Sequence, residues 1–298
     1  MSYRYLPDYS EPLKSRVLEL HRTRPDLQAA FPELDSPEYL RWINVDAYLA
    51  YEDVRESLPP IPPEERMKVV SIGGVPGFLI GGFSAFAALQ RAAHRVNRTL
   101  TDFAEVLDFG CGAGRTLRYW APYAKKVRLA GCDVDAAAVA WVEETFDFVA
   151  ARVSSTQPPL PYHSERFDLI YSISVFSHLS ERSHRAWIGE LARIARPGAH
   201  LVLTTHGERA LQCVVDDPER RALVGLSAAQ VSKAREAMRR TGFAFCRQEE
   251  VASPDVYGMT FISEDYVRSR WSGALEVVDY ERGGIDGWQD VVTLRKRG

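Results

Sequence analysis

Ten residues constrain this chain more than any others: Val106-Leu107-Asp108-Phe109-Gly110-Cys111-Gly112-Ala113-Gly114-Arg115. An apolar strand closes on an acid and breaks into a Gly-x-Gly-x-Gly turn that is expected to open a helix. Open α/β sheets make room for a nucleotide-like ligand in this way, at the carboxyl end of a strand. Glycines let the backbone come close to the ligand, and Asp108 offers an acceptor to a cationic or hydroxylated group. The dinucleotide fingerprint places its third glycine one residue further on, and that slot is Arg115 here. A pyrophosphate is therefore not the expected ligand.

Strand and helix alternate regularly around this turn. Strands are predicted at Val106–Phe109, Val127–Cys132, near Phe148–Val153, at Phe167–Ile173 and at Ala199–Thr205. The fourth is almost wholly apolar, as a strand buried on both faces should be. An Ala-rich helix is expected over Ala136–Phe146, and another after Ser180, with Trp187, Leu191 and Ile194 on one face and Pro197-Gly198 as its stop. Such alternation predicts a parallel sheet covered on both sides.

Upstream, Ser36-Pro37 begins a helical pattern, Leu58–Pro63 should run as a stiff extended connector, and Phe83–Leu100 carries one apolar stripe. Phe78–Phe83 places Gly81 and Gly82 in an expected loop before that helix. Downstream, Leu226–Arg240 reads as a polar helix, while Leu275–Tyr280 and Asp290–Leu294 read as a closing hairpin. The chain is thus divided into residues 1–100, a helical extension that lids the acceptor site, and 101–298, the main domain with a cap-like segment at 207–270.

An apolar share of 46% suffices for a packed core, and a net charge of −3 over 298 residues gives nucleic acid or an anionic membrane no electrostatic hold. The expected partner is a small-molecule or sugar acceptor. Cys111, Cys132, Cys213 and Cys246 lack metal-ligand spacing and read as reduced core residues. With no apolar signal core in Met1–Tyr5 and no run of membrane-span length, a cytoplasmic location is expected. No metal site is expected.

This order of features resembles the class I S-adenosylmethionine-dependent methyltransferases over roughly residues 100–210. Residues 106–115 look like the family's first motif, and Gly131-Cys132-Asp133-Val134-Asp135 resembles its second-strand acid site. Pro158–Tyr162 with Phe167–Ile170 resembles the approach to strand four, and Leu191–Ala199 the helix, Pro-Gly and fifth strand. A narrower similarity, through Ser174-Val175-Phe176-Ser177-His178-Leu179, Thr204-Thr205-His206-Gly207 and Tyr257-Gly258-Met259-Thr260-Phe261, is to bacterial methyltransferases of glycan or secondary-metabolite assembly; Ser177 stands where Thr is usual.

The resemblance implies a Rossmann-like α/β fold with a seven-stranded, mostly parallel sheet whose last strand is antiparallel, and S-adenosylmethionine as cofactor. Gly110, Cys111, Gly112 and Gly114 would bracket the amino-acid end of the cofactor and Asp108 would lie near its ammonium. Asp133, with Asp135 as second choice, would take the ribose hydroxyls beside Val134. The adenine would lie near Val153-Ser154-Ser155, where the family's usual acid or amide is missing, and Ser174 would face the sulfonium.

Methyl transfer to a hydroxyl needs alignment and a proton acceptor. His178, in the loop after strand four, is the first candidate base, and His206, ending strand five, the second. His184 is expected on an exposed helix face. Arg115 and Arg118 are candidates for contact with an acceptor or a cofactor carboxylate, and Tyr257, Phe261 and Trp271 for the acceptor pocket. These readings favour an O-methyltransferase acting on a small-molecule or sugar hydroxyl. The alternatives are N- or C-methylation and a scaffold that binds the cofactor without turnover.

Overall fold

The computed structural model describes residues 18–30, 42–56, 59–70, 73–248 and 257–298. The helix expected from Ser36 lies outside the described residues as far as residue 41. Short helices at Pro25–Ala30, Glu52–Glu56 and Glu64–Val70 precede a long one, α1, Gly74–Arg95. Residues 59–63 run without helix or strand, in keeping with the proline-rich connector.

Nine labelled strands follow: β1 Glu105–Phe109, β2 Arg128–Asp133, β3 Val149–Val153, β4 Phe167–Ser172, β5 Ala195–Thr205, β6 Phe243–Arg247, β7 Gly258–Ile262, β8 Leu275–Ile285 and β9 Gln289–Lys296. Seven of them form one sheet in the order β3-β2-β1-β4-β5-β9-β8. β9 runs antiparallel to both of its neighbours and the other pairs are parallel. The chain therefore has the expected Rossmann-like α/β sheet, with its last strand reversed. That reversal matters for the site, because it brings the start of β9 to the edge where β1, β2, β4 and β5 end.

Side chains on the two faces of the sheet enter two separate apolar clusters. Val106 and Val202 face one of them, while Leu107, Phe109, Leu201 and Leu203 face the other. Both faces are covered, so these strands read as continuous apolar runs rather than alternating ones. α1 covers the first face: the Phe86 ring packs at 5.9, 5.5 and 5.9 Å from those of Tyr119, Trp120 and Tyr123.

Several local expectations are corrected. α1 starts nine residues before Phe83 and ends at Arg95, so Gly81 and Gly82 are helical rather than a loop pair needing positive φ. The reason is close packing. A Cβ on Gly82 would overlap the Arg115 carbonyl and come within 3.1 Å of the Tyr119 ring. Gly82→Ala should cost about 1–3 kcal/mol in urea denaturation, as overpacking does. In Gly81→Ala the new methyl meets only the far end of the Arg115 side chain, at 3.3 Å, so a much smaller loss is expected there. Equal losses in the two variants would refute this account.

The glycine turn opens a 3₁₀ segment, Leu117–Tyr123, which contains Pro122, rather than an α-helix. Ser180 precedes helix Glu181–Ile194 without capping it; its hydroxyl bonds to Ser183 instead, at 3.1 Å. That helix ends at Ile194, and β5 already begins at Ala195, so Pro197-Gly198 lies within the strand. The terminal hairpin is longer than its apolar residues suggested.

Segment 207–270 builds helices at Glu208–Asp216, Pro218–Leu223, Ala228–Thr241 and Glu264–Arg270 around the antiparallel β6–β7 pair. Ser227 starts the third of these with a reciprocal capping box to Gln230, and Gly242 ends it at φ +73°. The free edge of β7 is stitched to the loop after β4. Gly258 N–H donates to the His178 carbonyl (2.8 Å) and Thr260 N–H to the Ser177 carbonyl (2.9 Å). The Thr260 hydroxyl donates to the Leu179 carbonyl at 2.6 Å.

Candidate active site

Beyond β1 the chain turns through Gly110, Gly112 and Gly114 at φ +81°, +50° and +82°, values that residues with a Cβ adopt only at a cost. Space also demands glycine: a Cβ at Gly114 would stand 2.9 Å from the Phe146 ring, and one at Gly110 would overlap Val175. The N–H groups of Gly110 and Cys111 donate to the Cys132 carbonyl at 2.8 and 3.1 Å. Cys111 turns its buried side chain toward Gly131, so only its backbone faces a ligand.

Asp133 closes β2 beside this turn. One carboxylate oxygen accepts from Gly112 N–H at 2.8 Å and the other from Asp135 N–H at 2.9 Å. Burial raises its pKa, against the pull of these N–H donors. A carboxylate has about four lone-pair sites, which leaves two for a diol. Asp135 is committed elsewhere, capping helix Ala136–Thr145 by accepting from the N–H of Ala137 and Ala138. Val134 and Val153 are exposed at the ends of β2 and β3, and Ser154 N–H donates to the Asp133 carbonyl at 2.8 Å. An acid with acceptor capacity to spare thus stands next to two open apolar side chains, a setting that fits a nucleoside.

Asp108 is buried, which pushes its carboxyl up to about 7; the Tyr171 hydroxyl opposes this and the charge of Asp133 adds to it. An acid whose pKa is raised on folding binds its proton more tightly folded than unfolded, so its contribution to stability falls as pH rises from near 4 toward 7. Asp108→Asn removes that loss. In cofactor-free protein its stability relative to wild type should climb by about 3 kcal/mol between pH 4.5 and 7.5, measured by denaturant titration. A pH-independent difference would contradict the assignment.

Ser174, just past β4, holds φ +61°, unusual without a glycine. Its N–H donates to Thr204 Oγ1 at 2.8 Å, and its hydroxyl receives Arg115 Nη2 at 3.1 Å and Gln289 Nε2 at 2.7 Å. Gln289 was missed in the sequence, since nothing marks a Gln at the head of a strand until β9 is known to enter the sheet reversed. Arg115 is a half-buried cation; desolvation lowers its pKa and the charges of Asp108, Asp286 and Tyr257 oppose that. Arg118 points elsewhere: buried, it donates to the Pro59 carbonyl at 2.9 Å and lies over the Tyr48 ring at 5.3 Å, fastening the N-terminal extension.

His178 Nδ1 lies 2.8 Å from the Gly258 carbonyl oxygen. A carbonyl only accepts, so Nδ1 carries the proton and Nε2 the lone pair. The ring stacks on Tyr257 at 4.9 Å and 12°, and Tyr257, 41% exposed, forms the outer surface. Burial lowers the His178 pKa, the Gly258 bond opposes this, and the charge of Arg115 lowers it further. His206 stands edge-on behind, at 5.8 Å. Burial brings it down to about 3, with the charge of His178 adding and a backbone bond to Thr260 opposing.

Two pocket expectations and one surface expectation give way. Phe261 is fully buried in the apolar core of the cap, packed on His206 at 6.0 Å, and forms no open wall. Trp271 is likewise buried, against Phe176 at 5.3 Å. His184 is not exposed: it is buried among Phe176, Phe243 and Trp271, bonded through Nε2 to the Phe176 carbonyl at 2.7 Å, its pKa pushed down to about 4 by burial. Among the described residues no group of three or more His, Cys, Asp or Glu side chains is placed to hold a metal ion, and no helix is long and apolar enough to cross a membrane.

Residues 106–198 match a family model described as a methyltransferase domain. A curated relative, a probable chloroplastic tocopherol O-methyltransferase of Oryza sativa subsp. japonica, is 29% identical over 133 residues, covering 43% of this chain and 34% of its own length. The chain thus spans about a third of that relative. Similar solved structures include human N-acetylserotonin methyltransferase in complex with S-adenosylmethionine, 13% identical with TM-score 0.48, covering 96% of this chain and 67% of that one. Another is the N-methyltransferase NodS of Bradyrhizobium japonicum WM9 with S-adenosylhomocysteine, 18% identical with TM-score 0.43, covering 72% and 88%.

The match places a methyltransferase domain at residues 106–198, the stretch that holds the glycine turn and runs from β1 into β5 of the Rossmann-like sheet.

Proposed function

We propose that the protein transfers the methyl group of S-adenosylmethionine to a hydroxyl of a small-molecule or sugar acceptor, in glycan or secondary-metabolite assembly. When bound, the cofactor supplies a methyl carbon activated by positive sulfur. The protein's own residues hold, orient and deprotonate. The backbone from Gly110 to Gly114 seats the methionine end with Asp108 and Ser174 close by, Asp133 accepts from the ribose hydroxyls, and Val134 with the segment at Ser154 borders the adenine. Arg115 and Tyr257 hold the acceptor. His178 takes the hydroxyl proton at Nε2, while His206, too weak a base at its depressed pKa, serves as a neutral ring that fixes His178 from behind.

Residues 1–100 and the cap at 207–270 enclose the acceptor. The observation that carries this reading is the His178 imidazole, its tautomer set by Gly258, on the loop that leaves the same sheet edge as the glycine turn. The relative named as a tocopherol O-methyltransferase supports oxygen as the methylated atom. The test is calorimetric titration with S-adenosylhomocysteine, followed by a radiolabelled methyl-transfer screen of nucleotide sugars and aglycones. A protein that binds the ligand yet methylates only amines would overturn the oxygen assignment.

A further inference from the structure

We propose that Ser174 and Gln289 together bind a second, non-reacting hydroxyl of the acceptor, so that the substrate is an alcohol with at least two hydroxyls and is methylated on only one of them. The proposal rests on the methyl-transfer reading above and narrows its acceptor.

Hydrogen-bond capacity carries it. The Ser174 hydroxyl accepts from Arg115 Nη2 at 3.1 Å and from Gln289 Nε2 at 2.7 Å. A hydroxyl has two lone pairs and one proton, so both lone pairs are filled and what remains at Ser174 is a proton to donate. Gln289 Oε1, on the same amide that gives to Ser174, is buried without a hydrogen-bond partner, and a buried acceptor left unpaired is costly. Neighbouring side chains thus offer one proton to give and one lone pair to fill.

A single group meets both demands. A hydroxyl takes the Ser174 proton on its oxygen and gives its own to Gln289 Oε1, closing a ring of three hydrogen bonds through the Gln289 amide. Ethers, carbonyls and carboxylates only accept, and an ammonium only donates. This is not the hydroxyl that reacts, because that one gives its proton to Nε2 of His178, and one proton has one destination.

Position agrees. Ser174 holds φ +61°, and residues kept in sparsely populated conformations cluster where ligands are clamped. Its N–H is tied to Thr204 of β5, and Gln289 opens β9. The pair therefore lies on the β5–β9 side of β4, while the glycine turn and Asp133 lie on the β1–β2 side. His178 N–H donates to the Val175 carbonyl at 2.9 Å, a tight turn that keeps the base near Ser174.

The experiment gives the full chain radiolabelled S-adenosylmethionine and three matched probes: cis-1,2-cyclohexanediol, its monomethyl ether and cyclohexanol. The diol should be methylated once, with kcat/KM about 100-fold or more above either mono-alcohol, since neither can give a second proton to Oε1. Gln289→Met keeps the side-chain length and removes both polar atoms. It should bring that ratio to within about threefold of unity, chiefly by raising KM for the diol. Ser174→Gly, which suits the backbone at φ +61°, should flatten the ratio likewise. Calorimetry should leave S-adenosylhomocysteine affinity of Gln289→Met within about threefold of wild type, which also shows that the variant folds.

An unmethylated diol, equal kcat/KM for diol and cyclohexanol in wild type, or a ratio untouched by Gln289→Met overturns the proposal and leaves the methyl-transfer reading standing. Lost S-adenosylhomocysteine affinity in Gln289→Met assigns the pair to the cofactor and overturns it as well. Absence of that binding in wild type overturns the methyl-transfer reading, and calorimetry reports it separately.

Discussion

His178→Ala should turn over about 10²–10⁴-fold more slowly than wild type, the loss that follows removal of a general base, while S-adenosylhomocysteine affinity stays within about threefold. The split follows from position. His178 bonds Gly258 and stacks on Tyr257, whereas the groups assigned to the cofactor are the glycine turn and Asp133. Because burial and Arg115 lower its pKa, the acid limb of the wild-type kcat/KM profile should fall below pH 6.5, with rate lost as the imidazole protonates. That limb should vanish in His178→Ala. An unimpaired variant, or one that loses cofactor affinity in parallel with rate, would remove His178 as the base.

Asp133→Ala should weaken S-adenosylhomocysteine binding by about 30- to 100-fold, or ~2–3 kcal/mol, the scale of hydrogen bonds to a charged group. Two effects combine. The ribose loses its acceptor, and Gly112 N–H loses the partner that pins the turn. Asp133→Asn separates them, since it keeps an oxygen for Gly112 but donates where the ribose also donates, so it should be nearly as weak. Calorimetry decides, and unchanged affinity in the alanine variant would refute the ribose assignment.

How legible these groups were depended on how local their causes are. The Gly110–Gly114 turn announces itself because positive φ at alternating positions leaves glycine as the residue of choice. The strands at 106–109 and 167–172 announce themselves because double-sided burial makes them mostly apolar, with Asp108, Asp168 and Ser172 as the exceptions. Gly81 and Gly82 misled for the same reason in reverse. They look like punctuation, but their cause is the approach of Arg115 and Tyr119 from a distant stretch of chain. His184 looked like one more polar residue on a helix until Phe176, Phe243 and Trp271 closed around it.

By itself the sequence determined the parallel sheet, its order of elements, the glycine turn and the acid at the end of β2, all of which follow from periodicity and local backbone demands. Only the tertiary structure decided which atoms meet at the sheet edge. The reversal of β9 carries Gln289 to Ser174, and the pairing of β7 with the loop after β4 sets a backbone carbonyl against Nδ1 of His178. Those contacts join residues 80 to 115 positions apart, and no local rule reaches across such spans, because long-range pairing is selected by the packing of whole elements rather than by any one residue's preference.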